Sequence, residues 1–287
     1  MNGFLNLYKP EGVSSAYLLN GLKRILKGET IGHMGTLDPL ASGVLPVAIG
    51  KSTRLFDYLL DKKKEYEATV EFGYETDTLD LEGEKAYFSE HIPTLKEVEE
   101  AAKDLVGEIM QIPPVYSAKC VDGKRSYKLA RQGKQVELPP KKVIVYSIEV
   151  LDFSDSKCKL KIVCGGGTYI RAIARDLGLA VSSRATMTSL KRTASGIFKV
   201  EDSVTIEDIK NSRDMTVFII PPDKAIDYPI IDLSETEAKR LFNGLADEFL
   251  FDDGIYKVYA PDGFYGVGEV RNKNLKVKAY IRDDKNC

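Results

Sequence analysis

The sequence predicts an α+β protein with a small β-rich unit at its C-terminal end, and three observations carry that prediction. Strand-like and helix-like apolar spacings are interspersed over roughly the first two hundred residues. From Tyr228 onward, Gly244, Gly254, Gly263 and Gly266 punctuate short apolar runs, which reads as a small β-rich module. A chain of 287 residues also exceeds one average domain, so a large unit with a small one is expected. The division is placed at 1–227 and 228–287.

In chain order, Phe4 to Tyr8 reads as a strand. A helix capped at Ser14 or Ser15 follows, with Leu18, Leu19, Leu22, Ile25 and Leu26 at helical spacing and Gly28 placed to end it. Val44 to Ile49 is a short buried strand, Leu55 to Leu60 a helical piece, and Tyr66 to Phe72 a strand with approximate alternation. Thr94 and Glu97 form a capping-box signature for a helix running to about Leu105. Val143 to Val150 and Lys159 to Val163 alternate as two more strands. Tyr169 to Leu179 reads as a helix after a glycine triplet, and Ser234 with Glu237 caps a short one in the C-terminal unit.

Composition narrows the function classes. Hydrophobic residues make up 43% and charged residues 29%, which suits a globular core. No run approaches the ~18 apolar residues of a membrane helix, and Met1 to Leu5 lacks the features of a secretory signal. The expected location is the cytoplasm. Cys120, Cys158, Cys164 and Cys287 show no Cys-x-x-Cys spacing, and His33 and His91 are far apart, so no metal site is expected. Asp77, Asp80 and Glu82 miss the calcium-loop spacing and read as solvated acids or as partners of nearby Lys or Arg. Gly165-Gly166-Gly167-Thr168 lacks the Gly-Lys-Ser/Thr of a phosphate loop. No cofactor is expected.

The net charge of −2 hides an uneven distribution. Residues 119–142 carry eight Lys/Arg against Asp122 and Glu137, a net +6, with Tyr127 interleaved and Tyr116 just before. Such a patch neutralises phosphates whatever the total charge. Residues 75–104 are acidic and are expected to face away from a nucleic acid. The C-terminal unit, with nine Lys/Arg against eleven Asp/Glu, offers little independent grip on phosphate.

The most informative stretch is residues 32–46, Gly-His-Met-Gly-Thr-Leu-Asp-Pro-Leu-Ala-Ser-Gly-Val-Leu-Pro. It sets one carboxylate, Asp38, among Gly32, Gly35 and Gly43, with Pro39 fixing its own φ and restricting Asp38. A rigid loop presenting a single acid suits covalent or acid–base catalysis.

This stretch is similar to the catalytic loop of the TruB type of pseudouridine synthase, and four other blocks extend the resemblance. Lys9-Pro10-Glu11-Gly12 with Ser14-Ser15 resembles the family's opening. Lys64-Glu65-Tyr66, Gly73, Thr76-Asp77-Thr78 and Asp80 resemble its second block. Gln111 to Lys119, then Gly123-Lys124-Arg125, Tyr127 and Ala130 to Gly133, resemble the third. Gly167 to Arg171 and Leu190 to Thr193 complete the set. The resemblance implies a mixed or antiparallel sheet, an isomerase acting on uridine 55 in the T loop of tRNA, and a C-terminal PUA-like module, to which the match is weak. It implies the tRNA T-arm as partner, with no membrane and no obligate protein partner evident.

The resemblance also implies roles for particular residues. Arg171 pairs with Asp38, Tyr66 stacks on the flipped base, and Tyr169 and Leu190 line the base pocket. His33 fills the space the base leaves. Lys9, Lys64, Lys191 and Arg192, with Lys124, Arg125, Lys128 and Arg131 of the basic segment, are expected at phosphates. Glycosidic cleavage develops oxocarbenium character at C1′, which a carboxylate stabilises or traps. Asp38 could attack C1′, attack C6 or remove a C2′ proton; the sequence leaves these open. Three departures stand out: Cys164-Gly165-Gly166 where a more polar residue is common, Thr186 where His is frequent, and Ile197 in place of Pro after Gly196.

Overall fold

Runs that alternate side chains between two faces build the sheet that carries everything else. The computed structural model describes residues 1–59, 63–117, 138–243 and 250–281, and the backbone of 120–121 and 124–125. The strands are β1 (Gly3–Lys9), β2 (Ile31–His33), β3 (Ser42–Ile49), β4 (Lys64–Phe72), β5 (Tyr74–Thr76), β6 (Lys85–Phe88), β7 (Gly107–Gln111), β8 (Cys120–Val121), β9 (Lys124–Arg125), β10 (Lys141–Ser154), β11 (Lys157–Cys164), β12 (Ala185–Ser195), β13 (Phe198–Lys199), β14 (Ile219–Ile220), β15 (Ile230–Asp232), β16 (Gly254–Ala260), β17 (Gly263–Arg271) and β18 (Asn274–Tyr280). A 10-stranded sheet runs β14-β1-β3-β12-β4-β11-β10-β7, with β13 beside β12 and β2 beside β3. Its pairings are antiparallel except for one short parallel match, in which Lys191 faces Ser42 and Arg192 faces Gly43. The expected α+β class with a mixed sheet is what the chain adopts.

Helices form where the caps were read. Ser14 accepts from the Tyr17 N–H at 3.1 Å and starts the helix Ser15–Ile25, which buries Leu18, Leu19 and Leu22. Thr94 and Glu97 make both halves of a capping box ahead of Leu95–Asp104, as Ser234 and Glu237 do ahead of Glu235–Phe242. The piece read around Leu55 is a 3₁₀ turn over Gly50–Tyr58 rather than an α-helix.

β12 has no counterpart in the elements predicted above, yet it joins the two halves of the sheet. Its register shifts between Met187 and Ser189 and again between Arg192 and Ala194. Two bulges break the period-two pattern by which a strand is recognised in sequence.

β3 explains how the C-terminal unit is attached. Its Leu45, Val47 and Ile49 pack with the helix Ser15–Ile25, while Val44 and Ala48 point the other way. That second face joins a cluster with Val267, Ala279 and Ile281 of the C-terminal unit, whose sheet runs β15-β16-β17-β18. Arg54 and Asn2 donate to the Tyr280 and Ile281 carbonyls at 2.9 and 3.1 Å. The unit also has its own core around Ile231, Val258 and Val270. Among the described residues, no helix is long and apolar enough to cross a membrane.

Candidate active site

The loop between β2 and β3 is fastened at several points, and the fastening sets the direction of Asp38. Ser15 Oγ donates to the Leu37 carbonyl at 2.8 Å and accepts from the Leu37 N–H at 3.0 Å. The Ala41 N–H donates to the Asp38 carbonyl at 3.0 Å, and the Gly12 N–H to that of Pro39 at 2.9 Å. Gly43 closes the loop at φ +104, and a Cβ there would run into the Arg192 backbone. Only glycine meets both conditions without strain.

Two residues expected at phosphates belong to this fastening instead. Lys9 is fully buried, and its ammonium donates to the carbonyls of Pro10 (2.9 Å), Pro39 (3.2 Å) and Ala41 (2.5 Å). Burial lowers its pKa to about 8, against the pull of Asp38. Arg192 is 1% exposed and donates to the carbonyls of Val44 at 2.7 Å and Gly35 at 3.2 Å. The alternation of β12 turns Lys191 outward and Arg192 inward, so a basic pair in sequence becomes one exposed and one structural cation. The phosphate assignment is therefore corrected for Lys9 and Arg192.

At Asp38 the expected partner is in place. Arg171, in the first turn of the helix Ile170–Ala180, reaches Asp38 Oδ2 at 3.0 Å. Its other terminal nitrogen reaches Asp80 Oδ2 at 3.1 Å, and the guanidinium also donates to the carbonyls of Thr78 and Tyr116. Asp38 is about one-third exposed at the side chain, whereas Asp80 is buried. A planar fork can bridge two carboxylates in this way, and a lysine cannot. Burial raises the Asp38 carboxyl above the usual range; Arg171 pulls it down, Asp80 pushes it up again, and Lys9 pulls it down.

Asp80 was read only as a solvated or paired acid, and its place here was missed. It follows Leu79, whose φ is +65, in a turn where Asp80 accepts from Thr78 Oγ1 at 2.6 Å and from the Glu82 N–H at 3.0 Å. Thr186 braces this turn, donating to the Tyr74 carbonyl at 3.0 Å and accepting from the Thr76 N–H at 3.2 Å. Gln111 was likewise missed as a clamp. Its side chain accepts from the Tyr169 N–H at 2.9 Å and donates to the Tyr169 carbonyl at 3.2 Å, tying β7 to the helix that carries Arg171.

Asp38 stands between two cavities. One, about 320 Å³, is lined by Tyr66, Tyr169, Ile170, Leu190 and Lys64 beside Asp38 and Arg171. Tyr66 is 6% exposed; burial pushes its phenol up, and Arg192, hydrogen-bonded to it, pulls it down. The second cavity, about 640 Å³, holds His33, Asp77, Asp80, Glu82, Glu84 and Tyr116 around the same aspartate. Asp77, Asp80, Glu82 and Glu84, within the acidic segment expected to face away from a nucleic acid, thus line a cavity beside Asp38. His33 Nδ1 is buried without a hydrogen-bond partner among the described residues, and burial followed by Arg192 lowers the imidazole pKa, which favours the neutral ring. Lys128 and Arg131 lie outside the described residues. Of Lys124 and Arg125 only the backbone is described, paired with Val121 and Cys120 in a short hairpin.

A mixed sheet that offers one guanidinium-held aspartate to an aromatic pocket defines a class, the pseudouridine synthases, and comparison with known proteins supplies the family. The TruB family pseudouridylate synthase N-terminal domain matches residues 23–170, and the tRNA pseudouridylate synthase B C-terminal domain matches 171–225. The chain is 39% identical over 285 residues to tRNA pseudouridine synthase B of Clostridium tetani, covering 96% of this chain and 98% of that one. It is 41% identical over 288 residues to the same-named protein of Acaryochloris marina, covering 98% and 99%. Among solved structures it resembles a chain of an H/ACA RNP bound to a substrate RNA containing 2′-deoxyuridine, with TM-score 0.73 and 25% identity over 99% of this chain and 86% of that one. A Cbf5–Nop10–Gar1 complex gives 0.72 and 27%, over 98% and 84%. The chain belongs to the TruB family and is an RNA-modifying isomerase that converts uridine to pseudouridine.

Proposed function

We propose that this enzyme acts on tRNA at uridine 55 of the T loop, with Asp38 as its essential carboxylate. The observation that carries the reading is the Asp38–Arg171–Asp80 bridge beside a pocket walled by Tyr66, Tyr169 and Leu190. Arg171 orients Asp38 and Asp80 anchors Arg171, so the carboxylate is held toward the pocket before substrate arrives. A uridine inside a folded T loop must leave its stack to reach it. His33 then occupies the vacated place, and Tyr66 stacks on the base from a wall that is already packed.

Once the base is in the pocket, the N1–C1′ bond breaks, the base turns, and C5 joins C1′. Asp38 can trap the sugar at C1′, add to C6 of the base, or take the C2′ proton, and each use requires it ionised. Residues 119–142, with Lys124, Arg125, Lys128 and Arg131, supply phosphate contacts along the T-arm, joined by the exposed Lys191 on β12. The 1–227 unit holds the chemistry, the 228–287 unit braces it, and the enzyme works with its tRNA in the cytoplasm.

Incubating the purified protein with an unmodified tRNA transcript carrying tritium at C5 of its uridines tests the reading. Tritium should enter water in step with one pseudouridine mapped to position 55. Release without a mapped product, or a product at another position, contradicts it.

A further inference from the structure

The chemistry just described creates a negative charge that Asp38 cannot stabilise. When N1–C1′ breaks, the electron pair stays with the base, giving a uracil anion spread over N1, O2 and O4. A new C5–C1′ bond then forms from the base's electrons, C5 loses its proton and N1 gains one, so the product is an isomer and no outside reagent is consumed. Between these steps the anion lies in a pocket walled by Tyr66, Tyr169, Ile170 and Leu190. In such a site a preorganised cation stabilises developing charge far better than in water.

Two cations line this pocket among the described residues, Arg171 and Lys64. Arg171 is committed to Asp38, Asp80 and two backbone carbonyls. Lys64 is half-buried and makes no ion pair or hydrogen bond with a described residue. It lies two residues before Tyr66 on β4, so both project from one face of the strand. Glu65, between them, points to the other face and is taken by Thr193 and Lys161. The Lys64 ammonium rests 3.2 Å from where a Cβ on Gly35 would sit, so this glycine leaves the room the amine fills. Burial and then Arg192 lower its pKa, with Cys164 opposing. An ammonium held in this way, with no counter-ion among the described residues, is poised to take an anionic partner.

We propose that Lys64 is a catalytic residue: it donates to a carbonyl oxygen of the target uracil and stabilises the base anion as N1–C1′ breaks. This rests on the tRNA reading above. Lys64 stays protonated throughout and donates hydrogen bonds only. Its location in the base pocket replaces the phosphate contact expected from sequence.

The test compares Lys64→Met and Lys64→Arg with wild type, single turnover on pre-bound T-arm RNA, with uridine or 5-fluorouridine at the target. Fluorine at C5 makes the base a better leaving group, so help from a cation matters less. The readout is loss of the target nucleoside after digestion of the RNA. Lys64→Met should slow uridine cleavage by about 10²-fold, slow the fluorinated substrate by clearly less, and leave RNA affinity unchanged; Lys64→Arg should recover most of the rate. Equal slowing on both substrates, or no slowing on either, overturns the role for Lys64 while wild-type conversion stands. A wild-type enzyme that leaves the T-arm unmodified overturns the tRNA reading itself, and the role of Lys64 with it.

Discussion

Asp38 is held in a place that suits its chemistry better than its stability. Burial lifts its pKa above 3.8 despite Arg171. In the proposed mechanism the carboxylate acts ionised, so the rate on bound RNA should rise with pH through the raised value, placing the acid limb above the usual aspartate range. The same shift has a stability consequence. Between the unfolded and folded pKa values the folded protein holds more protons, so this group removes stability as pH rises through that window. Asp38→Asn should therefore melt no lower than wild type at pH 7, as thermal unfolding followed by circular dichroism would show; a marked drop would mean the carboxylate is structural. Arg171 behaves in the opposite sense, because Asp80 is 2% exposed and pairs with no other cation among the described residues. Arg171→Lys should cost on the order of 3 kcal/mol in denaturant unfolding, since an ammonium cannot span both carboxylates. It should also slow single-turnover conversion more than it weakens RNA binding.

At the level of elements, the sequence made the Asp38 loop legible and left its supports hidden. Asp38 could be picked out because glycines and a proline isolate it, and Arg171 and Tyr66 came with the family blocks. Asp80 escaped because an acid among acids carries no local mark; only the turn at Leu79 and the approach of Arg171 single it out. Lys9 and Arg192 were misplaced because a basic side chain in sequence says nothing of which strand face it takes. β12 was missed because two bulges scramble its alternation. That strand meets β3 only where Gly43 lets the Arg192 backbone come close. Gly43→Ala should thus destabilise the fold by on the order of 3 kcal/mol, combining left-handed strain with a backbone clash. Chemical denaturation would measure it, and a change below experimental error would show that the two strands can separate there without cost.

Across the whole molecule, the C-terminal unit is more firmly joined than its turn-rich sequence implies. The sequence placed a division after Asp227; Val267, Ala279 and Ile281 from beyond it cover the second face of β1 and β3, beside Phe4, Val44 and Ala48. Cutting at Asp227 should expose that face, lower the unfolding midpoint and raise binding of a hydrophobic dye, and a truncated chain as stable as the full one would contradict the shared core. The proposed chemistry, however, rests on a single carboxylate acting on one uridine. Its most direct test is rapid-quench single turnover on a pre-bound T-arm stem-loop, wild type against Asp38→Asn, with pseudouridine mapped in the product. Wild type should convert position 55, and the variant should bind equally well yet be slower by on the order of 10⁴-fold or more. A variant that binds normally and still forms pseudouridine at a substantial rate would show that Asp38 is not the group that carries the reaction.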